Sequence, residues 1–208
     1  MDTREYVDVS LIGGNVSTEV KQAFFDVLCE QIKKVNAEGV KGFEPEIASR
    51  TLWKEMSVLK KAEEPGKLEG RIVYEITVEE DMINGNGALH GGCSALLIDN
   101  CSTMPMALLS LVTTGHAEFG VSKSLNVLYH APAMVYVQLP INLPVRTHYP
   151  SFPFFRGDRL RIVSTTLSCG SRVLTSRCEI WDATNHRLIA SGVHTKMPGS
   201  ALKSSAKL

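Results

Sequence analysis

The sequence predicts an α+β fold, an antiparallel sheet wrapped around one long buried helix. Three observations carry that prediction. A β-branched run, Leu68 to Val78, follows the turn Glu64-Pro65-Gly66. A segment rich in helix formers runs from His90 to about Leu111. Three strand-like runs after position 158 are joined by the short turns Cys169-Gly170-Ser171 and Thr184-Asn185-His186, which makes a meander. The length of 208 residues suits one domain with a short appendage. An apolar share of 44 % and a charged share of 21 % exclude a disordered or collagen-like chain.

Residues 1–50 read as an N-terminal extension with one amphipathic helix. Ser17 or Thr18 supplies its N-cap and Glu19 its acidic first turn, while Val20, Phe24, Val27, Leu28, Ile32 and Val35 form one apolar stripe. A loop follows from Asn36 to Pro45. The domain proper spans 51–198 and begins with a hairpin, whose first strand carries Trp53, Met56, Val58 and Leu59. The polar stretch Glu79 to Gly87 leads into the long helix. Pro105 has no N–H to offer the Cys101 carbonyl, so that helix is expected to bend or end near Thr103. Strands are expected at Phe119–Tyr129, Asp158–Cys169, Arg172–Ala183 and Arg187–Lys196. Four of the nine prolines fall in an insertion at about 133–156, which excludes a central strand there and predicts a long or partly ordered excursion. Residues 199–208 read as a flexible tail.

The net charge is zero, but 1–81 hold 17 acids against 11 bases and 82–208 hold 5 against 11. No binder of polyanions of the histone kind is indicated, and no recognition helix is apparent, so no nucleic-acid partner is expected. Five cysteines with no CxxC pair and no zinc-ligand spacing read as reduced thiols in an intracellular compartment. The N-terminal residues lack the order of a signal or transit peptide. Asp99-Asn100 and Pro105 interrupt the apolar stretch Ala88 to Thr114, so no membrane span is expected.

Chemistry concentrates between Asn84 and Asn100. Gly91 and Gly92 open the helix despite their low helix propensity, which suits a place where something approaches the backbone closely. Free N–H groups there can hold an anion or polarise a carbonyl oxygen. Asp99 stands nine residues after His90, and a carboxylate on a core helix is either satisfied by neighbours or kept for acid–base work. Only four other carboxylates follow position 81, at Glu118, Asp158, Glu179 and Asp182. No G-x-S-x-G elbow occurs, and Cys93 and Cys101 lack an evident base and read as small apolar residues. No metal constellation is apparent and no cofactor is expected.

Six groups of residues resemble one family: N-x-x-G-x-L-H-G-G (Asn84 to Gly92), Leu97-Ile98-Asp99-Asn100, Ser102-Thr103-Met104, Gly120-Val121-Ser122, Tyr129-x-x-Pro132 and Gly192-x-His194-Thr195-Lys196. From about Leu52 to Pro198 the chain resembles the hot-dog-fold acyl-CoA thioesterases of the PaaI-like branch. That resemblance implies hydrolysis of acyl-CoA, CoA being part of the substrate. It implies a homodimer or homotetramer with active sites between protomers. Asp99 would orient or activate the water, assisted by Ser122. Gly91 of the facing protomer would polarise the thioester carbonyl, and Asn84 would bind the thioester or water. His90, Gly92 and Lys196 are candidate substrate contacts, with a structural role for His90 equally open. Asn86 falls at a position without a role.

Two rival readings are a hot-dog enoyl- or hydroxyacyl-CoA hydratase-dehydratase, pairing His90 with Asp99, and a non-catalytic acyl-CoA-binding protein. The 133–156 insertion reads either as a flap that brings Arg146 and His148 near phosphates or as an insertion without a role. Ala206-Lys207-Leu208 resembles the peroxisomal address, which implies an import receptor as partner and a peroxisomal location, with cytoplasm or mitochondrion as alternatives.

Overall fold

Along the second strand of the hairpin, Ile72, Tyr74 and Ile76 are buried while Arg71 and Glu75 are partly exposed, a period-two pattern broken only by the buried Val73. The same alternation recurs in the meander strands, and it leaves one apolar face to be covered. The structure, a computed structural model, describes residues 7–37, 39, 42–137 and 155–199. It contains helices α1 (Thr18–Ala37), α2 (Pro45–Arg50) and α3 (Gly91–Thr114), and strands β1 (Leu52–Lys60), β2 (Leu68–Thr77), β3 (Val121–Tyr129), β4 (Val135–Val137), β5 (Phe155–Gly157), β6 (Arg159–Cys169), β7 (Leu174–Asp182) and β8 (Arg187–Met197). Six strands form one sheet in the order β1-β2-β6-β7-β8-β3, with every neighbouring pair antiparallel. Helix α3 packs on β2, β6, β7 and β8 and fills the core with Leu97, Ile98, Met106 and Leu108. By length and composition α3 could cross a membrane, but here it is the core helix, more than half buried inside the protein.

Helix α3 runs unbroken through Pro105 to Thr114 and ends on Gly115, left-handed at φ 79°, whose N–H donates to the Leu111 carbonyl. The helix does not end near Thr103, and two features carry it past the proline. The phenol of Tyr74, buried in β2, donates to the Cys101 carbonyl at 3.4 Å and replaces the N–H that proline lacks. Opposite, Gly70 lets β2 come close to the helix: a Cβ there would lie 2.4 Å from the Pro105 carbonyl oxygen.

The two edges of the sheet differ. Along β1, the Gly13 N–H donates to Lys54 O at 2.9 Å and Gly13 O accepts from the Met56 N–H at 3.0 Å. The Asn15 side-chain amide then bonds both the N–H and the C=O of Val58, each at 2.8 Å. The N-terminal segment thus closes that edge. Phe24 and Phe25 of α1 stand edge-on to Trp53, which stands edge-on to Tyr74 with ring centroids 4.8 Å apart, so the extension is packed into the core. At the other end β3 has no strand partner on its outer side among the described residues, and Val121, Leu128 and Tyr129 are about 60 % exposed. An exposed apolar edge strand is a pairing surface.

Three further elements differ from the sequence expectation. Helix α1 continues to Ala37, and the expected loop is followed by a short α2 with proline in its first turn. The ends of the insertion pair with each other as β4 and β5, a two-stranded sheet apart from the main one. Arg146, His148 and the bulk of the insertion lie outside the described residues, as do Ala206-Lys207-Leu208.

Tyr74→Phe is expected to cost about 1 kcal/mol of stability by leaving the Cys101 carbonyl without its donor. In a Pro105→Ala background, where the helix regains its own N–H, the cost should vanish. Urea denaturation of the four variants checks this, and equal costs in both backgrounds would remove Tyr74 from the account.

Candidate active site

Helix α3 begins where a tight loop delivers it. Asn84 accepts from the N–H groups of Asn86 and Ala88 through its side-chain oxygen, at 2.9 and 3.3 Å, and its own N–H donates to the Ala88 carbonyl. Asn84 therefore builds the loop, and Asn86 takes part through its backbone. His90 is the N-cap, with φ −65° and ψ 135°, and its Nδ1 accepts the Gly92 N–H at 2.9 Å. A Cβ on Gly92 would lie 3.0 Å from that nitrogen, so the second glycine makes room for the imidazole of His90. The Gly91 N–H is a free first-turn donor with no partner among the described residues. The phenol of Tyr129 donates to the Gly91 carbonyl at 3.0 Å. Gly91, Asn84, Ser94, Tyr129 and His130 line a cavity of about 410 Å³.

A second cluster lies further along α3. The Asp99 side chain is 43 % exposed, so water reaches it, while His194 beside it is fully buried. His194 Nε2 lies 3.3 Å from Asp99 Oδ1 and 2.9 Å from Ser122 Oγ, and its Nδ1 lies 2.7 Å from Ser102 Oγ. We place the proton on Nε2, which bonds Ser122 and faces the Asp99 carboxylate; Ser102, whose hydroxyl also lies 3.2 Å from the Asp99 carbonyl, then donates to Nδ1. Ser122 can then accept from His194 and keep its own O–H for a water. Burial pushes the His194 imidazole below its ordinary value; Asp99 opposes that and Lys196 adds to it. Lys196 is buried too, and its ammonium donates to Thr103 Oγ1 at 3.1 Å. Burial lowers the Lys196 ammonium from its ordinary value, with Asp99 opposing.

The structure thus brings Asp99, Ser122 and Lys196 together, and Asn84, His90, Gly91 and Gly92 together, in two separate groups. Gly91 and Asp99 are eight residues apart on one straight helix, about 12 Å at 1.5 Å per residue. His90 and Asp99 are separated further still within one chain, so the pairing a hydratase would need is not made there. Lys196 points into the core rather than to solvent. His194, the centre of the second cluster, stands in the sequence only as part of the closing Gly192-x-His194-Thr195-Lys196 run. Burial pushes the Cys93 thiol up to about 11 and that of Cys101 well above its ordinary value, so both are neutral thiols near pH 7. No group of three or more metal-ligating side chains occurs among the described residues.

No family model matches the chain. It is 30 % identical to human acyl-coenzyme A thioesterase 13 over 131 residues, which cover 63 % of this chain and 75 % of that protein. The mouse acyl-coenzyme A thioesterase 13 is 29 % identical over 130 residues, or 62 % of this chain and 74 % of the relative. The chain belongs to the acyl-CoA thioesterases of the hot-dog fold. Among solved structures, the zebrafish thioesterase superfamily member 2 superposes with a TM-score of 0.52 at 26 % identity, covering 82 % of this chain and 97 % of that one. In the hot-dog frame the two clusters sit at the start and the middle of the central helix, and the second includes Ser122 of the edge strand β3.

The His194 imidazole carries a pH signature. Its value is depressed in the folded state, so the unfolded chain binds the extra proton first as pH falls below the ordinary 6.5. Its share of stability is present above that pH and is lost as pH falls through the lower folded-state value. Chemical denaturation across pH 4 to 8 should show a decline below about 6.5 that is shallower in His194→Gln. An identical pH slope in both proteins contradicts the neutral buried imidazole.

Proposed function

We propose that this chain is an acyl-CoA thioesterase, with Asp99 as its base and each site completed by a second copy of the chain. The observation that carries the reading is the half-exposed Asp99 carboxylate, held by the buried His194 and placed beside Ser122. A water there can give its proton to Asp99 as its oxygen attacks the thioester carbonyl carbon. Charge then develops on the carbonyl oxygen, and a free N–H at a helix start stabilises it. The C–S bond breaks, the CoA sulfur leaves with the proton that Asp99 took, and the acyl group departs as the free acid. Water is the only co-reactant.

The attacking water and the oxyanion donor must both lie about 3 Å from the reacting carbonyl, whereas Asp99 and Gly91 of one chain are about 12 Å apart. We therefore assign the N–H to Gly91 of the partner subunit, with β3 of the two protomers forming the seam of a two-fold dimer. The closed β1 edge and the open, apolar β3 edge support that choice. Asn84 and the cavity around Gly91 would meet the thioester from the same side. The names of the relatives support CoA as the carrier of the acyl group. Neutral thiols at Cys93 and Cys101 disfavour a covalent route through cysteine.

Asp99→Asn is expected to lower kcat for acyl-CoA hydrolysis by about 100-fold or more, since general-base catalysis contributes at that level. Ser122→Ala should lose about tenfold, having only an orienting hydrogen bond to lose. Release of free CoA thiol from a panel of acyl-CoA substrates reads both. A near wild-type rate in Asp99→Asn removes Asp99 from the chemistry.

A further inference from the structure

Asp99 and Thr103 are four residues apart on α3, so they share one face, about 6 Å along the axis. His194 and Lys196 are two residues apart on β8 and also share one face, about 7 Å apart. The two spacings match, and the structure fills both rungs: His194 meets Asp99 on one and Lys196 meets Thr103 on the next. The rungs are tied together, because Thr103 Oγ1 also donates to the Asp99 carbonyl at 2.8 Å. A lysine folded into the core at this point, rather than extended into solvent, needs a reason, since burying an ammonium is costly.

We propose that Lys196 is a positioning residue of the hydrolytic site, its ammonium anchored on Thr103 so that its charge adds to burial in opposing Asp99 at His194. A neutral His194 donates from Nε2 to Ser122, stands 3.3 Å from the Asp99 carboxylate and accepts from Ser102. A protonated His194 would form a full ion pair with Asp99, donate from both nitrogens, and turn the Ser102 hydroxyl away. Asp99 would then be a poorer proton acceptor for water. This rests on the thioesterase reading above only for its effect on rate; the effect on His194 stands without it.

The surroundings contain no rival charge for this task among the described residues. From α3 come Asp99 and the hydroxyls of Ser102 and Thr103; from β3, Ser122. From β7 come Ser176, whose hydroxyl donates to the Ser102 carbonyl at 2.7 Å, and the Cys178 thiol, pushed up to about 12 by burial. Glu118, in the loop before β3, accepts the N–H groups of Gly120 and Gly199, and Lys123 in the β3 bulge is exposed. Lys196 is the buried cation beside His194, and its charge and that of Asp99 act on the imidazole in opposite senses.

The test is Lys196→Met, which keeps the length of the side chain and removes the charge, with Lys196→Arg as the charge-preserving control. His194 is followed by NMR titration of the imidazole signals, assigned with His194→Gln. In Lys196→Met its midpoint should rise by about one pH unit, and in Lys196→Arg it should stay within a few tenths of the wild-type value. The acid limb of the kcat/KM profile for acyl-CoA should move to higher pH by the same amount, with KM changed by less than about twofold. An unmoved His194 midpoint overturns the proposal, as does a roughly tenfold rise in KM with an unmoved profile, which would make Lys196 a substrate contact. If no acyl-CoA is hydrolysed by the wild-type protein, the thioesterase reading fails while the His194 titration still decides the role of Lys196. Should Lys196→Met not fold, Thr103→Val releases the ammonium from its anchor. A raised His194 midpoint there supports the proposal, and an unchanged one overturns it.

Discussion

Eight residues of straight helix hold Gly91 and Asp99 about 12 Å apart, and most of the architecture follows from that separation. A helix is too stiff to fold its own first turn back on its third, so a reaction that uses both ends of this stretch needs two helices. The sheet around α3 supplies the means. One of its edges is sealed by the N-terminal segment, with Asn15 bonding both backbone groups of Val58, and the other is left open and apolar at β3. In the proposed dimer, two-fold pairing through β3 would set two helices side by side. Running antiparallel, they can bring the start of one near the middle of the other.

The middle of the helix is prepared by side chains from distant parts of the chain. Asp99 keeps nearly half of its side-chain surface exposed, while His194, Ser102, Thr103 and Lys196 around it are buried. His194 and Lys196 are expensive residues to bury, and each is satisfied: the imidazole between Ser102, Ser122 and Asp99, the ammonium on Thr103. Buried polar networks of this kind hold a single geometry because each member has few alternatives. The hydroxyls matter as much as the charges, since each serine or threonine can donate in one direction while accepting in another.

The hairpin, the meander and the long helix are legible in the sequence because each rests on a local pattern. The run Leu68–Val78 alternates, and the turns at 169–171 and 184–186 punctuate. Helix continuity at Pro105 is not legible, because it depends on Tyr74 and Gly70 of a strand that meets the helix only after folding. The same distinction divides the site. Asp99, Gly91, Ser122 and His194 all stand in motifs, but the motif gives His194 no role, which comes from the β3–β8 register with the irregularity between Ser122 and Ser124. One local signal points to it: a histidine and a lysine alternating within a strand whose partners face the core. The inward turn of Lys196 follows from that alternation, and the sequence reading of a substrate contact overlooks it. The two glycines also divide by cause, Gly92 making room for His90 and Gly91 presenting a free N–H.

The division of one site between two protomers is tested most directly by mixing two inactive variants. Asp99→Asn removes the base. Gly91→Pro removes the N–H, and proline fits the first helical position after a residue with the extended backbone of His90. Each variant alone should be nearly inactive in thiol release from acyl-CoA. After co-refolding, half of the dimers are mixed, and each mixed dimer holds one intact site and one doubly disabled site. The account predicts recovery of about a quarter of wild-type activity. A mixture as inactive as its components would place Asp99 and Gly91 in the same protomer's site, or in no shared site, and contradict it.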